Sequence, residues 1–205
     1  MNINYKKIIM KNLSKILLAV LITFSYTDTY SQNENNPWQF SFGINAVDLN
    51  ADEFFAVDEK WNVSSGLSMF NLSKYLGDNM SLGLSGSVNS ISKFADGDEF
   101  INDATNFAGD LMLKYSLSEV LSLEKMDPFV GIGIGKTWMD SSSWMTSNAS
   151  LGINYWFSDV WGLTAQVDYK LNMSENGRGN TVMPDKGESM RYSLGFTVRF
   201  GGEGK

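Results

Sequence analysis

The sequence contains no histidine and no cysteine. Without imidazole or thiol groups, the chain lacks His-based general bases, Cys nucleophiles and the typical ligands of zinc and copper sites. Disulfides and lipid attachment through cysteine are excluded for the same reason. We therefore predict a protein that is not an enzyme, with no catalytic residue, no metal ligand and no cofactor.

The sequence also lacks an apolar run of the ~20 residues that a membrane-spanning helix requires. Only 3 of its 205 residues are proline, whereas 19 are glycine, 6 tryptophan and 13 phenylalanine. Such a composition favours short strands and turns. With 43% hydrophobic residues, the chain can bury apolar surface, and its length suits one domain.

The amino terminus has the features of an export signal. Four lysines between residues 6 and 15 precede an apolar stretch at 16–24, and small or polar residues follow up to Ser31. We predict a signal peptide at residues 1–31 and a barrel domain at residues 32–205. The alternative is a membrane anchor, but nine helical residues rise only ~14 Å, less than half of a ~30 Å hydrocarbon core.

Charge argues against one class of partner. The formal net charge of the whole chain is −7. Loss of the four lysines and Asp28 with the signal peptide changes this to −10 for residues 32–205. An acidic protein is repelled by phosphate backbones, so we predict no nucleic-acid partner.

After residue 37, apolar and polar side chains alternate, as they do in strands with two different faces. In the first segment, apolar side chains occupy the even positions from Trp38 to Ala46. Eight such segments predict an all-β, antiparallel up-and-down barrel. The predicted strands are Trp38–Ala46, Trp61–Met69, Met80–Val88, Phe107–Leu117, Val130–Trp138, Met145–Phe157, Trp161–Leu171 and Met190–Phe200.

The alternation is compatible with a soluble barrel that buries its apolar face or with a membrane barrel that exposes it to lipid. The polar face distinguishes the two, because Gly, Ser and Asn dominate it instead of Lys, Glu and Thr. Small polar residues fit the narrow interior of an eight-stranded barrel. Several segments also reach the ~9–11 residues needed to cross a bilayer at a tilt. We therefore predict a transmembrane barrel.

Two sets of residues support the membrane interpretation. All tryptophans lie near ends of predicted strands, which is typical of interfacial girdles: Trp38, Trp61, Trp138, Trp144, Trp156 and Trp161. The charged residues within the strands share the parity of the polar face and predict a lumen network: Asp110, Lys114, Asp168, Lys170, Arg191 and Arg199. Lys136 is the exception, and it faces lipid near a rim unless a bulge at the preceding glycines changes its facing.

Charges inside a narrow barrel are expected to be paired, since an unpaired buried charge is costly. Asp168 and Arg191 lie on consecutive predicted strands and form the preferred pair. Asp110 and Lys114 lie two same-face positions apart on one strand and form a second candidate pair. We favour a structural plug over an ion path, because eight strands enclose little free space.

The framework resembles the barrel domain of OmpA-like outer-membrane proteins. The resemblance rests on Asn154–Asp159 leading into Trp161–Leu163, and on the closing segment Ser193–Gly202. It covers essentially residues 36–202 and implies an eight-stranded transmembrane barrel in a Gram-negative cell envelope. Many members continue into a periplasmic domain that binds peptidoglycan, but this sequence ends at Lys205, so we expect no cell-wall tethering.

The closing strand has a second interpretation. An alternating row that ends in phenylalanine resembles the carboxy-terminal signal that the outer-membrane assembly machinery reads: Tyr192, Leu194, Phe196, Val198 and Phe200. The alternative is that these residues simply face lipid. Five residues follow Phe200, which departs from the usual position of that signal.

These observations predict an outer-membrane barrel with a structural role in membrane integrity and surface loops available for contacts. Longer connections at roughly residues 48–60, 95–106 and 173–188 place the loops outside and both termini in the periplasm. The expected partners are outer-membrane lipid, lipopolysaccharide and the assembly machinery. The alternatives are a small-solute, porin-like channel and a soluble periplasmic β-barrel binding protein.

Overall fold

The computed structural model describes residues 35–49, 61–93, 99–140, 142–173 and 187–201, with the side chains of residues 99–102 left aside. The predicted signal peptide, residues 1–31, lies outside the described residues. In the described part of the chain, no helix has the length and apolar character needed to cross a membrane.

The described chain is all β and forms a single antiparallel sheet that closes on itself. Its strands are β1 Trp38–Asp48, β2 Asn62–Val63, β3 Met69–Gly77, β4 Met80–Lys93, β5 Glu99–Ser116, β6 Met126–Met139, β7 Ser142–Trp156, β8 Trp161–Asn172 and β9 Glu188–Phe200. Each strand from β3 to β9 pairs with the next, and β1 pairs with both β3 and β9. The eight long strands therefore form a closed up-and-down barrel, which confirms the predicted fold class.

Closure occurs along the full length of the first strand. All residues of β1 pair with β9, from Trp38 opposite Phe200 to Asp48 opposite Met190. The first and last described residues, 35 and 201, consequently lie at one end of the barrel, which we call the terminus end. The opposite end, which we call the loop end, carries the connections from β1 to β3, β4 to β5, β6 to β7 and β8 to β9.

One predicted strand was wrong. The segment Trp61–Met69 contains the two-residue β2 and no more than the first residue of β3, the long strand that follows it. β2 pairs with the loop end of β1, where Ala46 lies opposite Val63, because β3 reaches only as far as Gly43. The side chain of Asn62 closes the remaining gap, since it accepts hydrogen bonds from the amides of Ser92 (2.8 Å) and Lys93 (2.9 Å) of β4.

The connections differ in part from the sequence prediction. β3 and β4 are joined by a two-residue turn in which Asp78 and Asn79 both have positive φ (50° and 62°), as in the type I′ hairpins that match strand twist. The predicted loop 95–106 is mostly strand, because β5 begins at Glu99. Residues 50–60 and 174–186 of the other two predicted outer loops lie outside the described residues.

The two faces of the barrel are chemically opposite. Leu84 (62% exposed), Ile132 (68%) and Phe196 (49%) point outward, as do most other large apolar side chains of the strands. Gln39, Ser41 and many other small or polar side chains point inward and are buried. The bulky row is therefore on the outside of the cylinder, as the membrane interpretation requires.

Candidate functional site

Glycines of β6 create the space for the charged groups of the lumen. Register pairing places Gly135 opposite Asp110, Gly133 opposite Met112 and Gly131 opposite Lys114 of β5. A Cβ atom at Gly135 would lie 1.9 Å from Oδ1 of Asp110. The alternating glycines on β6 thus match the larger side chains on β5.

Asp168 and Arg191 lie directly opposite each other on β8 and β9. The Nε and Nη2 atoms of Arg191 both donate to Oδ2 of Asp168, at 2.9 and 2.8 Å. Ser150 of β7 donates a hydrogen bond to Oδ1 of the same carboxylate, and so does Gln166. Both charged groups are almost fully buried, at 1% exposure for Asp168 and 4% for Arg191.

Arg191 also reaches the opposite wall of the barrel. Its Nη2 lies 2.8 Å from Oδ2 of Asp110 on β5, and its Nη1 donates to Oγ of Ser87 on β4 at 2.9 Å. Lys170 of β8 forms an ion pair with the other oxygen of Asp110, to which Asn148 donates at 2.9 Å. Two carboxylates and two cations therefore form one neutral cluster that bridges the lumen from wall to wall.

The other two predicted lumen cations lie outside this cluster. Lys114 does not pair with Asp110, contrary to the candidate pairing on one strand. It donates to Oε1 of Gln166 at 3.0 Å and lies over the ring of Phe129, with 4.6 Å from Nζ to the centroid. The cause is geometric, because Lys170 and Arg191 approach Asp110 from across the barrel, and a barrel's closure is not visible in a single strand.

Arg199 lies near the terminus end. Its guanidinium packs over the ring of Trp156 at 4.7 Å and donates to the backbone carbonyl of Asp159. Nearby, the sequence analysis missed a buried carboxylate: Asp127 accepts hydrogen bonds from Ser116 and, at 3.2 Å, from Asn154. Its parity with Phe129 and Gly131 could have assigned it to the lumen, but the predicted strand began three residues later.

A buried apolar cluster at the loop end was also missed. Five of its members lie on five different strands, and the sixth, Leu49, directly follows β1. Each is at most 7% exposed: Val47, Leu49, Ile91, Ala104, Met139 and Trp144. The apolar cluster thus fills part of the lumen at the loop end, beside buried polar residues such as Asn106 and Thr146, and the lumen below it is mainly polar. Within the polar part, two cavities of about 20 Å³ each have room for roughly one water molecule.

The six tryptophans do not form one class. Trp38, Trp138 and Trp161 lie on the outer face near strand ends, and Trp61 stacks on Tyr192 with 4.3 Å between centroids. Trp144 and Trp156 were wrongly assigned to the interface, because both point into the barrel and are buried. Their parity on β7 is that of Asn148, Ser150 and Asn154, so the alternation rule itself assigns them to the lumen.

The outer face carries two lysines near the rims. Lys136 points outward without any irregularity in the pairing of β6, and its Nζ lies 5.3 Å from the ring centroid of Trp138. Lys74, on the strand that the sequence analysis missed, similarly lies 5.4 Å from the ring of Trp38. The five residues of the predicted assembly signal, Tyr192 to Phe200 in alternation, all point outward.

The arrangement offers packing and ion pairing but little that resembles a reactive site. Among the described residues, no group of three or more carboxylates could hold a metal ion. The carboxylates of the central cluster are occupied by the guanidinium, the ammonium and amide or hydroxyl donors. What the lumen can do chemically is to fix the opposite walls of the cylinder to each other.

Comparison with known proteins agrees with this architecture. No protein-family model matches the chain, and no curated protein matches it in sequence. Among solved structures, the outer membrane protein OprG from Pseudomonas aeruginosa is similar, with a TM-score of 0.57, 12% identity and coverage of 85% of this chain and 99% of that one.

Two further structures are similar at the same level. Neisserial surface protein A gives a TM-score of 0.55 at 13% identity, with 82% of this chain and 98% of that chain covered. The N-terminal β-barrel domain of OprF from Pseudomonas aeruginosa gives 0.52 at 14% identity, with 82% and 100% covered. Together with the closed sheet, these matches show that the chain has the fold of the eight-stranded outer-membrane β-barrels, which are OmpA-like in architecture.

Proposed function

We propose that this protein is an integral barrel of the Gram-negative outer membrane, with a structural role in membrane integrity and without enzymatic activity. The observation that carries the proposal is the inverted arrangement of the sheet, with apolar side chains outside and ion-paired side chains inside. In water, such a surface would expose far more contiguous apolar area than soluble monomers tolerate. In a bilayer, the same surface meets hydrocarbon tails.

The location and orientation follow from this arrangement. The long β1–β3 and β8–β9 connections lie at the loop end, whereas two and four residues join β3 to β4 and β7 to β8 at the terminus end, which favours periplasmic termini and loops at the cell surface. The two-residue β6–β7 link at the loop end and the nine-residue β5–β6 link at the terminus end depart from this pattern. The outward aromatic residues near strand ends suit the two interfaces. Lys136 and Lys74 lie near opposite rims, where a lysine costs ~0–1 kcal/mol rather than the ~2–4 of the midplane.

The lumen supports a closed barrel over the porin-like alternative. The cluster of Asp110, Asp168, Lys170 and Arg191 spans the interior, and the apolar cluster lies between it and the loop end. Ions would have to displace paired groups and then pass the apolar cluster. The proposed partners are therefore membrane lipid and lipopolysaccharide outside the barrel, with the loops left for surface contacts.

The outward row from Tyr192 to Phe200 has a proposed role before folding. Because β9 pairs with β1 only when the barrel closes, this row is unpaired in the nascent chain and available to the assembly machinery. Phe200→Asp should therefore lower the amount of assembled barrel in cells more than it lowers refolding into detergent. An equal effect in both assays would assign the row to lipid contact alone.

Two experiments separate the three candidate functions. Carbonate washing should leave the protein in the membrane pellet, whereas a soluble periplasmic binding protein would be released. Reconstituted, heat-modifiable barrel in a planar bilayer should give no ohmic steps. Regular single-channel steps from verified inserted protein would replace the structural role with that of a small-solute channel.

A further inference from the structure

The outer surface of the barrel is indented between β7 and β2. A groove of about 660 Å³ crosses β7, β8, β9, β1 and β2, which are neighbours in the sheet. Ala46 and Ala165 lie in rows otherwise occupied by larger apolar side chains, so the surface is depressed at these positions. The groove is open on one side, and that side faces the proposed bilayer.

The groove has a defined course. Its two rows follow the register of the sheet, one through Ile153, Ala165, Leu194 and Ile44, the other through Leu151, Val167, Tyr192, Ala46 and Val63. Five strands spaced by ~4.8 Å give it a length of roughly 19 Å. It starts in the terminus-end half of β7 and reaches the loop end at β2.

This course matches one leaflet of a membrane. For strands tilted by about 45°, a 19 Å groove across the strands rises by about 13 Å. Half of a ~30 Å hydrocarbon core is about 15 Å. A chain lying in the groove would therefore run obliquely from near the midplane to the outer interface.

The loop end of the groove has a polar feature. Trp61 and Tyr192 stack there with an interplanar angle of 22°. The indole Nε1 of Trp61 is buried and has no hydrogen-bond partner among the described residues. An unsatisfied buried donor costs about 1–3 kcal/mol. Because Nε1 is shielded from the groove as the ring stands, an acceptor oxygen of a bound amphiphile would remove that cost only after a rotation of the Trp61 ring.

Resting on the proposed membrane function, we propose that this groove binds one acyl chain of lipopolysaccharide, with the ester-bearing end of the chain beside Trp61. Lipopolysaccharide is the lipid of the leaflet in which the groove ends. A second copy of the barrel fits less well, because a two-fold contact would place two concave surfaces against each other and a stable dimer needs about 800 Å² per partner.

The test is lipid retention by wild-type and groove-filled barrels. Each protein is reconstituted into vesicles of phosphatidylethanolamine and lipopolysaccharide, extracted in mild detergent and examined by native mass spectrometry. Wild type should retain one lipopolysaccharide molecule, and Ala165→Phe should retain it at least tenfold less. The matched control is Ala149→Phe, an exposed outward alanine of β7 outside the groove, which should retain lipid like wild type.

Other results would overturn the proposal. Equal retention by Ala165→Phe and wild type would show that the groove does not hold the lipid. If wild type retained phosphatidylethanolamine as well as it retains lipopolysaccharide, lipopolysaccharide would be rejected as the occupant. If wild type were a dimer and Ala165→Phe a monomer, the groove would be assigned to a second copy of the barrel. Ala165→Leu serves as a milder variant if the phenylalanine prevents folding. Heat-modifiable migration of every sample separates failure of this proposal from failure of the membrane function.

Discussion

At the residue scale, Arg191 connects the two walls of the barrel. It contacts two carboxylates and the Ser87 hydroxyl from an almost fully buried position. If its guanidinium is removed, Asp110 keeps its ion pair with Lys170, but Asp168 loses its ion pair with Arg191. The consequence should be large, because the loss of one partner leaves a buried charge uncompensated.

Arg191→Ala should lower the free energy of unfolding of the detergent-folded barrel by about 3–5 kcal/mol. The measurement is a denaturant titration followed by tryptophan fluorescence or heat-modifiable migration. Lys136→Ala is the control, since this lysine lies outside the barrel over Trp138 and should change stability by less than about 1 kcal/mol. An unchanged midpoint for Arg191→Ala would contradict the bridging role.

Gly135 tests the space that the cluster requires. A methyl group at this position meets the carboxylate of Asp110, so Gly135→Ala should cost about 1–3 kcal/mol through overpacking. Gly86→Ala is the matched control on β4, where the nearest atom to an added Cβ is 4.0 Å away. Equal unfolding midpoints for the two variants would show that Asp110 can move without cost.

The residue scale also shows where sequence reasoning succeeds. Asp168 and Arg191 could be paired from the sequence because consecutive antiparallel strands are neighbours. The contacts of Asp110 could not, because Lys170 and Arg191 approach it across the lumen from strands that are far apart in the sequence. Trp144 and Trp156 were misassigned because nearness to a strand end was weighed above parity, although parity decides which side of the wall a residue faces.

At the scale of elements, the wall between β1 and β4 is the irregular part of the barrel. β3 has only nine residues, whereas β4 has 14, so the loop-end half of β4 has no long partner on that side. Asn62 takes the place of the missing strand through its hydrogen bonds with the backbone of β4. The sequence prediction failed here because Lys74 breaks the apolar row of β3 and the apolar residues around Trp61 imitate a strand.

Asn62→Ala should loosen this side of the wall without unfolding the barrel. The amides of Ser92 and Lys93 would lose the side-chain oxygen of Asn62 as their acceptor. Each loss lowers local stability by about 1–3 kcal/mol unless a water molecule takes the place of that oxygen. Hydrogen exchange followed by mass spectrometry should show faster exchange in peptides containing Ser92 and Lys93, and unchanged exchange in β7. Ser90→Ala on the same strand is the control, because its exposed hydroxyl donates to Asp103 of β5 at 3.1 Å, on the other side of β4 from Asn62. Unchanged exchange near Ser92 would remove Asn62 from this role.

At the scale of the whole molecule, the alternation of the sequence was sufficient for the fold. Seven of the eight predicted segments overlap long strands by more than one residue, and the closing pair β1 and β9 makes the sheet continuous. The apolar cluster at the loop end was not predicted, since Val47, Ile91 and Met139 read individually as ordinary strand residues. Only the register of a closed barrel brings them together.

The central claim is that the bulky outward row meets hydrocarbon. Because the chain has no cysteine, single cysteines can carry one nitroxide each, at the outward positions Leu194 and Phe196 and at the exposed Glu119 of the terminus-end connection. In proteoliposomes, the nitroxides at Leu194 and Phe196 should collide more often with oxygen than with a water-soluble nickel complex. The nitroxide at Glu119 should collide more often with the nickel complex. Labels at Leu194 and Phe196 that collide mainly with the nickel complex would contradict the membrane barrel.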